Sequence, residues 1–473
     1  MIRVVRGNGY DPHALFIHKT LILMKKYFGT DGIRGKYGDS LMCSDFAYRL
    51  GKAISVFLRK TRSKDSYCVI VGRDTRSSGV ALSHALIAGL NQYQICVYYA
   101  DILPTPAVAR SVVETQADLG IIVTASHNPS CDNGIKLFSY CGHKLDDNEE
   151  ILIESLLDME ESFHEKLPTA NFISYDACTS YVNYLKPFVS SNSLRNWHIV
   201  LDLANGATCK STPAVFHNSG ATLHMIGNHP NGININDGFG SECSEQLVTS
   251  VLEKKANIGI AHDGDGDRLV VSDEMGVIVD GDIILGLLGR YAIQAGSLRS
   301  NTLVATIHSN FGLDQALKDV GGKVERVEVG DRNVAKRMRQ LGSNIGGESS
   351  GHIILSDFST TGDGLLAAIK IIEIMVLTGK ALSELRHEVV LFPQLKYNLC
   401  VTHKIPLDQL ESLKSTIQSI ESDFGDQGRV LVRYSGTEAK LRLLVEGRDK
   451  SLVNEAMEEI KSAAINDLDV IGS

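Results

Sequence analysis

Three absences narrow the reading of this 473-residue chain. It has no Cys-x-x-Cys pair: nine cysteines, at 43, 68, 96, 131, 141, 178, 209, 243 and 400, are odd in number and sit at no zinc-like spacing with histidine. They read as buried thiols of a reducing cytosol, which makes a cytoplasmic location the expectation. It has no apolar stretch near the ~20 residues that cross a bilayer, because His18, Lys19 and Thr20 interrupt the run from Ala14 to Met24. No membrane partner is expected, and that segment also lacks the clean apolar run and small-residue cleavage site of a signal peptide. Finally, it has no surplus of cations: 47 Lys and Arg against 56 Asp and Glu leave a net charge of −9. That excludes sequence-independent nucleic-acid binding. A phosphorylated small substrate stays open, since only its pocket need be positive.

What is present is a globular composition, 43% hydrophobic and 22% charged, long enough for about three domains at ~150 residues each. Short β-rich runs alternate with helical periods, the pattern that builds parallel sheets with helical crossovers. Strand candidates are Cys68 to Val71, Ile95 to Tyr99, Leu119 to Val123, His198 to Leu203, Ile258 to Ala261, Leu303 to Ile307 and Val324 to Val329. Helices are expected over Ser44 to Lys60 and, as a buried element, over Gly364 to Leu377. After Phe392-Pro393 the order becomes strand, helix (about Leu407 to Ile420), two close strands and a last helix near Leu452 to Ala463, a smaller α+β unit. No long-period repeat is visible. Residues 1–23 read as an extension outside the fold, which starts near Met24. The 43 glycines exceed the usual ~7% share, and part of the surplus falls in the candidate loops, as if backbone there approached a ligand closely.

Four loops carry chemistry. Asp263-Gly264-Asp265-Gly266-Asp267-Arg268 directly follows the run Ile258 to Ala261. Carboxylates two residues apart point the same way in an extended segment, and the glycines let the backbone bend until all three reach one ion. Oxygen ligands without His or thiolate suit Mg²⁺, Ca²⁺ or Mn²⁺ rather than zinc, the alternative being a solvated acidic turn. Thr124-Ala125-Ser126-His127-Asn128-Pro129 displays Ser126 on a tight loop after a strand. Adjacent side chains on an extended loop diverge, so His127 is not read as the base of a hydrolase pair. A serine that carries a phosphoryl group beside the metal is preferred, against an ordinary turn serine. Lys136, held near a cation and an arginine, is expected to lose its proton more easily and to serve as general acid and base.

Gly347-Glu348-Ser349-Ser350-Gly351-His352 contains Gly-x-Ser-x-Gly. The nucleophile elbow needs a strand before and a helix after. Here a glycine-containing stretch precedes and a β-like run follows, so contacts to sugar hydroxyls are the better reading, with a polar loop of no role as the alternative. Arg433-Tyr434-Ser435-Gly436-Thr437-Glu438, with Arg442, offers hydroxyls, arginines and open backbone N–H groups as an anion cradle, or else a Ser-Gly hairpin turn. No P-loop sequence occurs.

With Phe28-Gly-Thr-Asp-Gly-Ile-Arg-Gly35, Gly72-Arg-Asp-Thr-Arg76 and Pro104-Thr-Pro106, these motifs stand in the order seen in the α-D-phosphohexomutase superfamily. The chain resembles that superfamily from Met24 onward, and within it most the bacterial phosphoglucosamine mutase branch. The resemblance implies an α/β fold of four domains, three related α/β domains with mixed sheets and a C-terminal α+β domain, around a central cleft. The divisions expected are an extension at 1–23, then 24–178, 179–278, 279–391 and 392–473. It implies that Ser126 is a phosphoserine and that Mg²⁺ is held by Asp263, Asp265, Asp267 and a phosphoryl oxygen on Ser126. The implied catalytic set is Ser126, His127, Lys136, Arg268, His352 and Arg34. Glu348 and Ser350 match sugar-binding positions, and Arg433, Ser435, Gly436, Thr437 and Arg442 match the loop that holds the substrate's other phosphate.

The implied reaction interconverts glucosamine 6-phosphate and glucosamine 1-phosphate through a hexosamine 1,6-bisphosphate, for amino-sugar nucleotide and peptidoglycan precursor synthesis. A hexosamine phosphate is the expected partner, the protein being a monomer or homodimer. A phosphomannomutase or phosphoglucomutase is the rival reading, and a non-catalytic sugar-phosphate sensor a further one. The chain departs from the branch pattern at Ser349 (usually Gln), Ala439 (usually Pro), His262 (commonly apolar) and Ser130-Cys131, none of which removes a catalytic group.

Overall fold

The computed structural model describes residues 25–162, 166–189, 192–435 and 438–471. The expected extension at 1–23 lies outside the described residues, as do Gly436 and Thr437. The β-rich runs become strands of four sheets that follow one another along the chain, with ends displaced by a few residues. The six-stranded first sheet has the spatial order Ile33–Lys36, Asp132–Ser139, Leu119–Val123, Cys68–Arg73, Cys96–Ile102, Ile173–Ser174. The second has Ile278–Val279, Val270–Asp273, Ile258–Ala261, His198–Asp202 and Thr222–Ile226, and the third Lys323–Val327, Thr302–Thr306, Ile345–Gly347 and Ile353–Leu355. The last is antiparallel: Gln394–Cys400, Lys440–Gly447 and Gly428–Tyr434.

The first three sheets are mixed, and they share a device. In each, an inner strand pairs parallel on one side and turns through a loop into an antiparallel neighbour on the other. Leu119–Val123 lies between Cys68–Arg73 and Asp132–Ser139, Ile258–Ala261 between His198–Asp202 and Val270–Asp273, and Ile345–Gly347 between Thr302–Thr306 and Ile353–Leu355. The three loops so formed carry Ser126, the aspartates, and Glu348 with His352. The repeat is invisible in the sequence because the pairing recurs and the residues do not.

One buried apolar cluster runs through all three mixed sheets, from Ile70 to Val389. The C-terminal sheet has a separate core, from Leu399 to Leu468. Polar contacts join it to the rest: the Asn310 side chain pairs with the Phe392 backbone (2.8 and 3.0 Å), and Arg429 donates to the carbonyls of Ile307 and Ser309 at 2.9 and 2.8 Å. Burial holds the first three sheets together, whereas the fourth is attached through groups that water can replace.

Several expectations change. None of the nine cysteines is buried: Cys96, Cys131 and Cys141 are exposed and the others half-buried, because they fall at strand ends, turns and helix flanks rather than on core faces. The helix Gly364–Thr378 is buried over its first turns, but Val376 and Leu377 face solvent. Near the expected 178/179 division, the helix Ala177–Leu185 runs straight across. The helix expected from Leu407 begins at Glu411, after a single 3₁₀ turn over Leu407–Gln409.

Candidate active site

Ser126 sits in left-handed backbone with φ of 54°, a conformation that costs a non-glycine residue of order ~1 kcal/mol and persists only where neighbours impose it. Here the neighbours are Arg76 and Asn236. Arg76 Nη2 donates to the carbonyls of Ser126 (3.2 Å) and Asn128 (2.6 Å), and Asn236 Nδ2 donates to the same two carbonyls at 2.9 Å each. Ser126 N donates to Thr124 Oγ1 at 2.9 Å. The turn sends the hydroxyl toward the second sheet's loop, where Oγ donates to Asp263 Oδ2 at 2.5 Å.

This backbone overturns one expectation. The loop is not extended, so His127 does not diverge: its Nδ1 lies 3.2 Å from Ser126 Oγ. Burial, then Arg268 and Arg34 nearby, push the His127 pKa below its ordinary value, which keeps the ring neutral.

Arg76 and its partner Asp74 are both fully buried. Removing one side of such a pair leaves an uncompensated charge, at a cost of about 3–5 kcal/mol. Arg76→Met is therefore expected to lower the melting temperature by roughly 5 °C or more. The double variant Asp74→Asn/Arg76→Met should recover part of it, because no lone charge remains; differential scanning calorimetry reads both.

Carboxylate oxygens of Asp263, Asp265 and Asp267, all buried, lie within 4.8 Å of one another. They do so in a tight turn, closed by Gly266 N donating to Asp263 O at 3.1 Å, rather than in an extended segment. Burial, then Asp267 and Asp265, push the Asp263 carboxyl well above the usual carboxylate range. Asp265 Oδ2 accepts from Thr105 Oγ1 at 2.5 Å, but its Oδ1 is buried without a hydrogen-bond partner. An orphaned oxygen among crowded carboxylates, with no nitrogen or sulfur donor in the set, fits a hard divalent cation.

Two glycines of these loops allow close loop-on-loop contact. A Cβ on Gly264 would lie 2.6 Å from Ser126 O, and one on Gly351, at φ +85°, would lie 2.0 Å from Leu269 O. The metal-type loop is thus clamped between the other two.

Lys136 Nζ donates to Asp265 Oδ2 (2.9 Å) and Asp267 Oδ2 (3.1 Å) and lies 3.0 Å from Asp31 Oδ2. Burial opposes its charge, yet these carboxylates outweigh it and hold its pKa well above the ordinary lysine value. Arg34 acts in the opposite sense, the one expected, but less strongly than these three carboxylates. His352 places Nδ1 3.6 Å from Asp267 Oδ1, while its Nε2 accepts from Gly362 N at 3.2 Å and lies 3.4 Å from Asp331 Oδ2. Burial again opposes charge, but Asp267 and Asp331 prevail and raise its pKa to about 9.

Arg34 donates to Ala125 O (3.3 Å) and Asn128 Oδ1 (3.1 Å) and pairs with Asp31. Arg268 N donates to Asp263 Oδ1 at 3.2 Å, while its guanidinium pairs with Glu242 at 3.0 Å. The departure at His262 is a brace: the ring is buried between Thr212 Oγ1 and Arg268 O, both at 3.2 Å, and burial lowers its pKa to about 4 despite the carbonyl contact.

These groups border a cleft of about 430 Å³ lined by Arg34, Ser126, His127, Asp267, Arg268, Glu348 and His352, among others. Glu348 Oε1 accepts from Gly330 N at 3.0 Å. Ser349 and Ser350 are exposed and absent from this lining. A short strand, Ile345–Gly347, does precede their loop; the strand Ile353–Leu355 that follows, where an elbow has a helix, is what separates the two geometries.

Arg433, Ser435 and Arg442 do not line the cleft either. They lie on and beside the last sheet, with Arg433 Nη2 2.8 Å from His308 Nε2 and Arg442 Nη2 3.3 Å from Ser435 Oγ. Lys404 donates to Ser435 O at 2.6 Å. Burial, then Arg433, Lys396, Arg429 and Arg442, lower the His308 pKa, the mark of a local excess of cations.

Asp31, Arg76, Thr105, Lys144, Asn236 and Asp331 also take part in this architecture. Asp31, Arg76 and Thr105 fall inside the quoted N-terminal motifs, where their position was the available signal. Asn236, Lys144 and Asp331 carry no local signal, since their partners are more than 100 residues away along the chain.

Family models described as phosphoglucomutase/phosphomannomutase domains I, II, III and IV match residues 25–164, 179–276, 280–391 and 397–463. The phosphoglucosamine mutase of Oceanobacillus iheyensis is 42% identical over 93% of this chain and 98% of its own. That of Nitratidesulfovibrio vulgaris is 43% identical over 91% and 96%. Among solved structures, a phosphoglucomutase/phosphomannomutase family protein of Burkholderia thailandensis superposes with a TM-score of 0.78 at 22% identity, over 93% of this chain and 98% of that one. The Aspergillus fumigatus N-acetylphosphoglucosamine mutase, solved with GlcNAc-6P and magnesium, gives 0.62 at 16% identity, over 95% and 97%. Four consecutive domain matches and relatives this similar over nearly the whole length leave one conclusion: the chain belongs to the phosphoglucomutase/phosphomannomutase family.

Proposed function

We propose that the protein is a phosphoglucosamine mutase, interconverting glucosamine 6-phosphate and glucosamine 1-phosphate with Ser126 as the phosphoryl carrier. The observation that carries this reading is the strained Ser126 hydroxyl, held on the cleft wall with its oxygen on the buried aspartate triad. Similarity of about 42% to phosphoglucosamine mutases over 93% of the chain supports the amino-sugar preference.

In this reading a sugar hydroxyl attacks the phosphoryl group on Ser126; the bond to Oγ breaks, and Oγ takes up a proton as the sugar gives one up. Phosphoryl transfer asks mainly for positioning and charge neutralisation. Asp263, Asp265 and Asp267 would hold Mg²⁺, which when bound supplies positive charge to the phosphoryl oxygens. Neutral His127, 3.2 Å from Oγ, is placed to exchange a proton with that oxygen. Lys136, kept charged, neutralises the triad from beneath. Glu348 is positioned for sugar hydroxyls, with Arg268 and Arg34 for the bisphosphate charge.

The arginines Arg433 and Arg442, with Ser435, would hold the non-reacting phosphate. Because they sit on a sheet with its own core, closing that unit over the cleft brings them to substrate and excludes water while the bisphosphate turns end for end.

A coupled assay with each hexose phosphate tests the substrate. Turnover with glucosamine 1-phosphate is expected to exceed that with glucose 1-phosphate or mannose 1-phosphate by at least about tenfold, the scale at which a built polar contact discriminates. Faster turnover of either neutral sugar overturns the amino-sugar assignment, and no turnover of any of them overturns the mutase.

A further inference from the structure

Six side chains at the base of the cleft close a ring of alternating charge. Lys136 Nζ lies 3.0 Å from Asp31 and 3.1 Å from Asp267; Asp267 faces His352 at 3.6 Å; His352 faces Asp331 at 3.4 Å. Lys144 closes the circle by pairing with both Asp331 and Asp31. Asp31, Lys136 and Lys144 come from the first sheet's unit, Asp267 from the second and Asp331 with His352 from the third.

Lys144 is the member whose place demands a reason. Its side chain is 6% exposed, so it has left water, and it does not line the cleft. A buried ammonium is retained only where its partners repay the desolvation. Its two partners are the carboxylates that carry the ring's other cations. Take Lys144 away and Asp331 keeps His352 and the Arg332 backbone N–H, while its carboxylate and that of half-buried Asp31 lose the cation that stands between them. They would separate, and each would drag a cleft group with it: Lys136 through Asp31, His352 through Asp331.

We propose that Lys144 is a positioning residue for phosphoryl transfer, acting through Asp31 on Lys136 and through Asp331 on His352. The proposal rests on the mutase reading for its kinetic consequence. It does not extend to the whole contact between the first and third units. Arg332, the next residue after Asp331, pairs with Asp147 (3.0 Å) and Glu150 across that same contact without joining the ring.

The test uses the full-length enzyme with Mg²⁺. Lys144→Met is expected to lower kcat about 10²-fold, the effect of a misplacement near 1 Å, with KM changed much less. Lys144→Arg, which can still span both carboxylates, should restore most of the loss. Asp331→Asn should lose a similar factor, and the double variant should lose no more than the worse single, since both break one path. Arg332→Gln should leave kcat within about threefold, because its side chain pairs with Asp147 and Glu150 and with no member of the ring.

Reductive methylation of the native proteins, read at the Lys136 peptide by mass spectrometry, should be severalfold faster in Lys144→Met, which frees Asp31, than in wild type. This second readout is independent of the substrate. Wild-type kcat in Lys144→Met or Asp331→Asn, or unchanged Lys136 labelling in Lys144→Met, overturns the proposal, as does an equal loss of kcat in Arg332→Gln. If wild type turns over no hexose phosphate, the functional reading falls and the labelling alone decides on Lys144.

Discussion

Replacing Ser126 with alanine is expected to lower kcat by about 10⁴-fold or more, the usual consequence of deleting a covalent carrier. The Thr105 hydroxyl on Asp265 is fully buried and does not line the cleft. Thr124 Oγ1, the nearest along the loop, accepts the Ser126 backbone N–H at 2.9 Å. The loss should come without unfolding, because Arg76 and Asn236 grip main-chain carbonyls that alanine keeps. The melting temperature should therefore stay near that of wild type. Intact mass should show one phosphoryl group on the wild-type protein after incubation with a hexose bisphosphate, and none on the variant. Retained turnover in Ser126→Ala would sink the carrier assignment.

Stripping divalent cations with EDTA is expected to cut turnover at least about 10³-fold, with Mg²⁺ restoring it, because the charge being moved is otherwise countered only by side chains. The aspartates are buried, and only Asp265 and Asp267 of the three reach Lys136. The Asp263 carboxyl is driven up by that crowding, and Asp265 Oδ1 has no partner at all. A cation that binds only the folded chain also stabilises it, by about 2.7 kcal/mol at a hundredfold excess over its Kd. Calorimetry of Ser126→Ala with and without Mg²⁺ therefore detects the site apart from catalysis. Asp265→Asn should abolish both the thermal shift and the rescue. A melting temperature indifferent to Mg²⁺ would count against a metal at the triad.

Residues that act together within a few positions of one another were legible in the sequence. Asp263, Asp265 and Asp267 announce a hard-cation loop by spacing alone, and Ser126 announces a displayed hydroxyl by its place after a strand. Reasoning failed where the outcome depended on backbone hand or on distant charge. An extended loop would turn His127 away from the Ser126 hydroxyl, a premise that the φ of 54° at Ser126 removes. Around Lys136 the sequence shows the arginine but not the balance of charge, since Asp31, Asp265 and Asp267 meet it together with Arg34 only in the folded chain. The phosphate-cradle residues are of the expected type, yet Arg433 rests against His308 on a separately packed sheet.

By itself the sequence determined the alternation of strands and helices, the chemistry carried by each loop and the family to which the chain belongs. These are short-range properties: hydrophobic period, turn residues and side-chain type are all written within a dozen positions. Only the tertiary structure decided which loops meet and in what charge state. The same inner-strand device, built three times on sheets that share one core, brings Ser126, the aspartates and His352 to one cleft from positions 126, 263–267 and 352. Lys144 and Asp331, 187 residues apart, become partners only there. Burial strengthens every charge pair in that space, so the proton on each group follows from what the fold places beside it rather than from its own side chain.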